Sequence, residues 1–314
     1  MSDAYSLSRE ESARLTRRVT TLSVATALVL TLLKAGVWLA SGSVSVMASL
    51  ADSGLDLIAA LGTLVAVRYA AAPPDAEHRY GHGKAEAFAS LVQAGLVFAS
   101  GALIGQEAIR HLIHPTPITQ SGWALGVMAI STVLTFGLVT AQTQVLRKTS
   151  SVAVTGDRAH YIADLASNVV ALAAIAAATL LSFKGFDALG GLAVAGVLLW
   201  GAIGVFRQAS NELMDHELPD AARAHIIALM TADPRLTDVH QLRTRASGPV
   251  VHIQMHADLD PTLSLEVAHE VVVAAERRVL EAFPAADIII HPDPRGRAEP
   301  HGGAFAETHV RAET

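Results

Sequence analysis

The sequence contains no cysteine. Disulfide scaffolds and thiolate metal sites are therefore excluded. A metal ion would have to be held by histidine or carboxylate side chains, and these ligands favour Zn, Fe, Mn, Co or Ni over Cu(I). The 14 histidines supply enough such ligands, although their number alone does not indicate a site.

Charged residues are also scarce, since they make up 17% of the chain whereas soluble domains usually carry about a quarter. Long apolar runs dominate residues 19–210, which indicates contact with lipid. The net charge of -6 is too mild to indicate a nucleic-acid partner. We expect an N-terminal cytoplasmic segment (1–18), a membrane domain (19–210), a cytoplasmic metal-binding domain (211–294) and a disordered tail (295–314).

Six apolar segments approach or exceed the roughly 20 residues that a transmembrane helix needs. Basic residues concentrate in the segments on one side of these spans, whereas the other side carries only Arg110 and Lys184. By the positive-inside rule, the protein is a multi-pass protein of the cell membrane with both termini in the cytoplasm. The expected spans are Val19–Ala40, Val44–Ala71, Ala85–Ile109, Trp123–Leu146, Val152–Leu181 and Leu189–Phe206.

The region after the sixth span has the pattern of a small α+β domain with its helices on one face of a sheet. Helical periodicity predicts helices over Pro219–Thr231 and Leu263–Phe283. Ser247-Gly248 is the expected hairpin turn between the first two strands. The expected strands are Val239–Arg245, Val250–Leu259 and a buried strand at Ile288–Ile290.

Ionisable side chains inside the spans are costly and therefore indicate function. The second span contains Asp52 and Asp56, and the fifth contains His160 and Asp164. Residues four apart share a helix face about 6 Å apart, so two facing pairs would supply the four ligands of a tetrahedral zinc site. Polar contacts that merely pack the helices are the alternative. Lys34 in the first span is interpreted as a side chain that extends to the outer interface.

Imidazole and carboxylate ligands bind metal only when they are deprotonated, so metal and protons should compete for such a site. Alternating exposure of the site would then exchange metal for protons. The sequence has no Walker-type nucleotide-binding motif, which favours gradient-driven transport. It also lacks the His-Glu-x-x-His protease motif and the Gly-x-Ser-x-Gly elbow, so we do not expect an enzyme.

Several motifs resemble the cation diffusion facilitator family, in particular its bacterial ferrous-iron and zinc efflux pumps. The likeness extends from about residue 15 to residue 294. It implies a homodimer with six spans per subunit, a ferredoxin-like cytoplasmic domain and metal–proton antiport out of the cytoplasm. The motifs are Gly42 to Asp56, the run Tyr80-Gly81-His82-Gly83-Lys84-Ala85-Glu86, His160-Tyr161-Ile162-Ala163-Asp164, Leu242–Arg245 and Ile290–Pro294.

The resemblance also implies roles for individual residues. It makes the four spanning residues the transport site, with zinc preferred because of His160 and with Cd or Fe also carried. It implies an interdomain charge pair between Lys84 and Asp215, and a two-metal site at the dimer interface. A second metal site is implied at Asp75, His78 and His82, where a solvated polar loop is the alternative. The interface ligands are His240, His256, His269, His291 and Asp293.

Two alternatives to zinc efflux stay open at this point. A transporter for Mn or Fe fits the same ligand types, because affinity follows a general order and cells control metal availability. A membrane metal sensor that binds without transporting is the second alternative. In each case the expected partners are a second copy of the chain, the lipid bilayer, divalent metal ions and protons.

Overall fold

The computed structural model describes residues 5–42, 44–114, 122–181 and 186–297. The predicted disordered tail lies outside the described residues from residue 298 onward. Within the described ranges, six long helices come first and a smaller α+β unit follows. The long helices are α1 (Arg9–Ser41), α2 (Val44–Ala70), α3 (Ala85–Ile113), α4 (Gly122–Leu146), α5 (Val152–Leu181) and α6 (Phe186–Leu213).

Five of these helices, namely α1, α2, α3, α4 and α6, are long and apolar enough within their described residues to cross a membrane. α5 is 30 residues long, but ionisable residues lie in its first half and its side chains beyond residue 173 are outside the described part. The predicted helical membrane domain is confirmed, and all six expected segments are helical.

α1 begins well before the expected span because its start carries a complete capping signal. Ser8 Oγ accepts a hydrogen bond from the Glu11 backbone N–H at 3.3 Å. The Glu11 carboxylate in turn accepts from the Ser8 backbone N–H at 3.2 Å. Such a reciprocal cap stabilises a helix start by about 1 kcal/mol. At the other end, Gly42 has a φ of 59°, the left-handed conformation with which a helix commonly ends.

Small residues bring α3 and α6 into close contact. A Cβ atom added at Gly101 would lie 3.2 Å from Leu198 Cβ, and one added at Gly105 would lie 3.3 Å from Ala195 Cβ. Helices in lipid associate through such van der Waals contact, because the surrounding lipid tails are as apolar as the side chains. α5 packs against both helices, which fixes the position of its polar N-terminal half.

The C-terminal unit is the predicted α+β fold, with one three-stranded sheet. Strand β2 lies in the centre, antiparallel to β1 and parallel to β3. The sheet and both helices share one core, to which Ile226, Ile253 and Val271 contribute fully buried side chains. The elements are α7 (Asp220–Met230), β1 (Leu236–Ser247), β2 (Val250–Leu259), α8 (Leu265–Ala282) and β3 (Ala286–Pro294).

Two details of the strand prediction are wrong. The turn between β1 and β2 is Gly248-Pro249, because Ser247 is still paired with Val250. Gly248 has a φ of 56°, which glycine adopts without strain. The sequence predicts a buried strand at the three isoleucines of β3, but β3 is an edge strand and Ile289 is 57% exposed.

The start of α1 and the connection between α4 and α5 lie on the same side of the membrane domain as the C-terminal unit. The ring centroids of Tyr5 and Phe283 are 6.3 Å apart. Tyr5 also lines a small cleft together with Ser150 and Pro249. These helix ends therefore meet the C-terminal unit on one side, as the predicted topology requires.

Gly83, just before α3, lies directly against the β1–β2 turn. A Cβ atom at Gly83 would be 2.0 Å from the Ser247 carbonyl oxygen. On the other side of this turn, the Gly248 backbone N–H donates to Glu212 Oε1 of α6 at 2.8 Å. The membrane domain and the C-terminal unit are thus joined by a backbone contact that leaves no room for a side chain.

We expect Gly83→Ala to force this contact apart and to lower the free energy of unfolding by roughly 1–3 kcal/mol, the usual range for a steric change of this kind. Thermal unfolding of the full chain in detergent, with limited proteolysis of the junction, would measure the effect. Gly95→Ala is the control, because a Cβ atom there meets nothing within 4 Å. Equal melting temperatures for the two variants would contradict the close contact.

Candidate metal sites

Three ionisable side chains from α2 and α5 meet inside the membrane domain. His160 Nε2 lies 2.9 Å from Asp56 Oδ1 and 3.8 Å from Asp164 Oδ2. One possible ligand atom from each residue lies within 4.8 Å of the other two. His160 is 6% exposed, so its ring is enclosed by protein. One nitrogen and two carboxylate oxygens at this separation can converge on a single divalent cation.

Asp52, the fourth predicted ligand of the transport site, lies outside this cluster. It is four residues before Asp56 on α2, and it is exposed. Like charges on neighbouring helical turns repel, and Asp56 acts on Asp52 in this way. Among the described residues, Asp52 is not part of the group of ligand atoms that lie within 4.8 Å of one another.

Lys34 of α1 lies against the same part of α2. Its Nζ donates to Ser53 Oγ at 2.6 Å and to the Ser49 carbonyl oxygen at 3.3 Å. The sequence interpretation has this side chain extending to the outer interface, whereas the ammonium is bonded to α2. Its positive charge attracts both Asp52 and Asp164, and so balances part of the negative charge around the cluster.

Asp157 is a buried carboxylate beside the cluster that the sequence analysis misses. It is 1% exposed and accepts hydrogen bonds from Ser23 of α1 at 2.6 Å and Gln142 of α4 at 2.8 Å. A longer bond of 3.4 Å comes from Gln93 of α3. The sequence does contain a signal for it, because Asp157 is an aspartate in an apolar span. It lies three residues before His160, and residues three apart share a helix face. Asp157 thereby connects three other helices to the face of α5 that carries the cluster.

Asp75, His78 and His82 also come together, in the connection between α2 and α3. The Asp75 carboxylate lies 3.4 Å from His78 Nδ1 and 3.2 Å from His82 Nε2. It also accepts the backbone N–H groups of His78 and Glu77, which fixes a tight turn and holds the pKa of Asp75 below its ordinary value. His82 is 7% exposed, and its Nδ1 has no hydrogen-bond partner among the described residues. The alternative of a solvated polar loop therefore fits the exposed Asp75 and His78 but not the buried His82.

A third cluster follows from the register of the sheet. His240 of β1 pairs with His256 of β2, and His256 pairs with His291 of β3, so the three form a row across the strands. Asp293 lies two residues beyond His291 and therefore on the same face. Its carboxylate is 3.3 Å from His240 Nε2 and 2.8 Å from His256 Nδ1. It is also 3.3 Å from His291 Nε2, so one carboxylate contacts three imidazoles.

Asp258 is a neighbour of this histidine row that the sequence analysis misses. It pairs with Asp293 across β2 and β3, and its Oδ1 lies 3.7 Å from His240 Nδ1. The available signal is a repeated His-x-Asp spacing, in His256–Asp258 and in His291–Asp293. Residues two apart lie on one face of a strand, so the repeat predicts two carboxylates beside two histidines.

His269 is the predicted interface ligand that lies apart from the row. It is exposed in the first half of α8, whereas the row lies on the three strands of the sheet. An exposed imidazole on this helix is accessible to a second copy of the chain. The family resemblance likewise implies that His269 belongs to a dimer interface.

Lys84 and Asp215 come together where the two units meet. Lys84 Nζ lies 3.0 Å from Asp215 Oδ1, and an Arg245 guanidinium nitrogen lies 3.2 Å from Asp215 Oδ2. Burial alone would raise the pKa of Asp215, but the hydrogen bond from Lys84 and the charge of Arg245 outweigh it and hold the pKa below its ordinary value. The guanidinium also lies 4.9 Å from the Tyr80 ring centroid, a cation–π contact.

Comparison with known proteins accounts for both units of the chain. Residues 20–214 match the family described as "Cation efflux transmembrane domain". Residues 218–295 match the family described as "Cation efflux protein, cytoplasmic domain". The chain belongs to the cation diffusion facilitator family. It is therefore a multi-pass membrane transporter for cation efflux with a cytoplasmic C-terminal domain, and not an enzyme.

Individual facilitators are similar over most of the chain. The cation-efflux pump FieF of Salmonella arizonae is 40% identical over 284 residues, which cover 90% of this chain and 93% of the relative. FieF of Salmonella typhi is 41% identical with the same coverage. A solved structure of CzrB in its Zn form shows 31% identity, covers 27% of this chain and 99% of that chain, and has a TM-score of 0.26.

We expect Asp215→Asn to weaken the junction by at most about 1 kcal/mol, since partly exposed ion pairs contribute little. The folded pKa of Asp215 is lowered, so its contribution is fully present above the ordinary aspartate pKa of about 3.9 and is lost as pH falls through the lowered value. A double-mutant cycle with Lys84→Met, followed by thermal unfolding across pH, isolates the pair. If the coupling energy between Lys84 and Asp215 were equal at neutral pH and at about pH 3, the expected pH dependence of this ion pair would be wrong.

Proposed function

We propose that the protein exports Zn²⁺ from the cytoplasm in exchange for protons, through a transport site of Asp52, Asp56, His160 and Asp164. The observation that carries the proposal is the 2.9 Å contact between His160 Nε2 and Asp56 Oδ1, with Asp164 Oδ2 at 3.8 Å. This contact connects α2 to α5 within a cation efflux domain. Imidazole and carboxylate groups are ligands that Zn²⁺ accepts in tetrahedral geometry.

Asp52 is the proposed fourth ligand. It lies four residues before Asp56, so both carboxylates project from one face of α2. A divalent cation replaces their mutual repulsion by attraction to both, which favours an Asp52 side chain turned toward the cluster. The substrate would then have one nitrogen ligand and three carboxylate ligands.

Exchange with protons follows from the chemistry of the ligands. Metal binding requires a neutral imidazole and ionised carboxylates, so a proton carried by an imidazolium at His160 or by a protonated carboxyl group of the cluster has to leave when the metal enters. Protons that enter from the opposite side would displace the metal in turn. A site that opens alternately to the two sides would therefore couple metal export to proton import without ATP.

Zinc is the proposed first substrate, with Cd or Fe as further substrates. The imidazole of His160 suits Zn and Fe, whereas Mn and Mg prefer sites made of oxygen ligands alone. Fe and Mn are the competing assignments for the metal carried in the cell. Competition among Zn, Cd, Fe, Mn and Co for flux into vesicles would rank them.

We expect Asp164→Ala to reduce Zn²⁺ flux into proteoliposomes more than about 100-fold, beyond the roughly 10–100-fold that the loss of a residue hydrogen-bonded to a metal ligand costs. The flux of the unaltered protein should depend on an imposed pH gradient. Glu281→Gln, which removes an exposed carboxylate of α8, is the control and should leave flux unchanged. Full transport by Asp164→Ala would disprove the proposed site, and metal binding without any flux would favour a sensor.

A homodimer is the proposed assembly, with a metal site at the interface of the cytoplasmic domains. His240, His256 and Asp293 already lie within 4.8 Å of one another in a single chain. His269 is exposed on α8, where a second copy can approach it. A metal that binds the dimer better than the monomer stabilises the dimer by mass action. The dimer would thereby respond to the cytoplasmic metal concentration.

Asp75, His78 and His82 are the proposed second metal site. The support is their convergence within 4.8 Å and the buried His82 Nδ1, which has no partner among the described residues. His78 and His82 also line a cavity of about 380 Å³ between the two units, beside Lys84 and Arg245. A metal bound there would lie next to the junction that connects the cytoplasmic domain to α3.

We expect zinc to raise the melting temperature of the dimer, by an amount equivalent to about 2.7 kcal/mol when free zinc is 100-fold above its Kd. His240→Ala with Asp293→Asn should remove the part of this gain that comes from the interface site and leave zinc binding by the membrane site intact. The measurements are thermal unfolding and zinc titration of the full chain. His216→Ala, which removes an exposed histidine bonded to the neighbouring Glu217 carbonyl oxygen, is the control. An unaltered protein that melts at the same temperature with and without zinc would contradict the interface site.

A further inference from the structure

A groove of about 560 Å³ lies between α1 and α4, away from all three metal clusters. Val19 and Leu22 of α1 and Val145 of α4 form its apolar wall. This volume is within the range of roughly 300–1,000 Å³ that small-molecule sites occupy. The groove is therefore large enough to hold part of an organic molecule with an apolar portion.

Three basic residues form the rim of the groove, and none of the residues that line it is acidic. They are Arg18 of α1, and Arg147 and Lys148 just beyond α4. All three side chains are exposed, and none forms an ion pair with a carboxylate in the described part of the chain. The basic residues at the junction, such as Lys84 and Arg245, are in contrast paired with Asp215. The rim thus carries positive charge that the described protein does not neutralise.

The groove lies at the cytoplasmic boundary of the membrane domain. Arg147 and Lys148 follow the last residue of α4, and Ser150 just beyond them lines a cleft with Pro249 of the cytoplasmic domain. The start of α1 meets the same domain through Tyr5. The apolar wall therefore lies at the depth of lipid chains and the basic rim at the depth of lipid headgroups.

We propose that this groove binds an anionic phospholipid of the cytoplasmic leaflet, with one acyl chain against the α1–α4 wall and the headgroup phosphate on Arg18, Arg147 and Lys148. Charge complementarity selects this occupant, because clustered basic residues beside transmembrane helices attract anionic headgroups. Guanidinium and ammonium groups bind phosphate oxygens through charge-assisted hydrogen bonds.

The bound lipid would contact both α1 and α4 and so help to hold these two helices together. On the inner side of the same helix pair, Gln142 Nε2 donates to Ser23 Oγ at 3.2 Å, and both residues donate to Asp157. Ser23 is adjacent to Leu22 and Gln142 is adjacent to Ala141, both of which line the groove. A lipid that bridges the outer side of the pair would therefore stabilise the polar contacts on the inner side.

Native mass spectrometry of the full chain, titrated with phosphatidylglycerol or phosphatidylcholine of equal chain length, tests the proposal. We expect phosphatidylglycerol to bind about 10-fold or more tightly, since each basic residue near an anionic headgroup adds to the affinity. Replacing the three rim residues with Gln should remove this preference. Ala141→Phe places a large side chain in the groove without changing its charge, and it should reduce the binding of both lipids. This variant tests the site if the triple variant does not fold.

The control is a triple variant of Arg14, Arg17 and Arg68 to Gln. These residues are exposed and carry the same total charge, but they do not line the groove. The control should keep the preference for phosphatidylglycerol. Equal losses in the two triple variants, or equal affinity for the two lipids, would overturn the proposal. Displacement of the lipid by millimolar inorganic phosphate would indicate a site for free anions. A shift from dimer to monomer in the rim variant would indicate a contact between subunits. Either result would also overturn the proposed lipid site.

Discussion

An ionisable group in hydrocarbon is stable only when its charge is balanced or its hydrogen bonds are satisfied, and the membrane domain is organised around this constraint. His160 lies against Asp56, and Lys34 is bonded to Ser53. Asp157 receives hydrogen bonds from three other helices. Each of these contacts connects different helices, so the ionisable groups in and around the proposed transport site also hold the bundle together. A change at one of them is therefore expected to loosen the packing.

Features that depend on local sequence, such as span lengths and the spacing of residues on a helix, could be predicted. Features that depend on side-chain rotamers or on contacts between distant helices could not. Span lengths follow from hydropathy, and the pairing of His160 with Asp164 follows from the helical repeat. Asp52 has the same spacing, but its exposed side chain lies outside the cluster, and the helical repeat does not specify the rotamer on which this depends. Asp157 becomes significant only when three distant helices are seen to converge on it.

The junction between the membrane domain and the C-terminal unit also has one contact that could be predicted and one that could not. The Lys84–Asp215 contact was implied by resemblance, whereas the tight approach of Gly83 to Ser247 depends on how α3 and the β1–β2 turn are placed in space. Glu212, at the end of α6, binds the Gly248 backbone in the same region. Glu212 and Asp215 therefore tie the end of α6 and the residues just after it to the β1–β2 turn and to Arg245 of β1.

The histidine row on the sheet has a consequence for how metal binding and folding are related. Its ligands are aligned by the pairing of β1 with β2 and of β2 with β3, rather than by a flexible loop. A slip of one residue in a strand would turn its ligands to the opposite face of the sheet. Only the native register can therefore assemble His240, His256 and Asp293, and misregistered chains would lack this set of ligands. A metal ion at this position would select correctly folded chains during synthesis, and metal supply would influence the yield of folded protein.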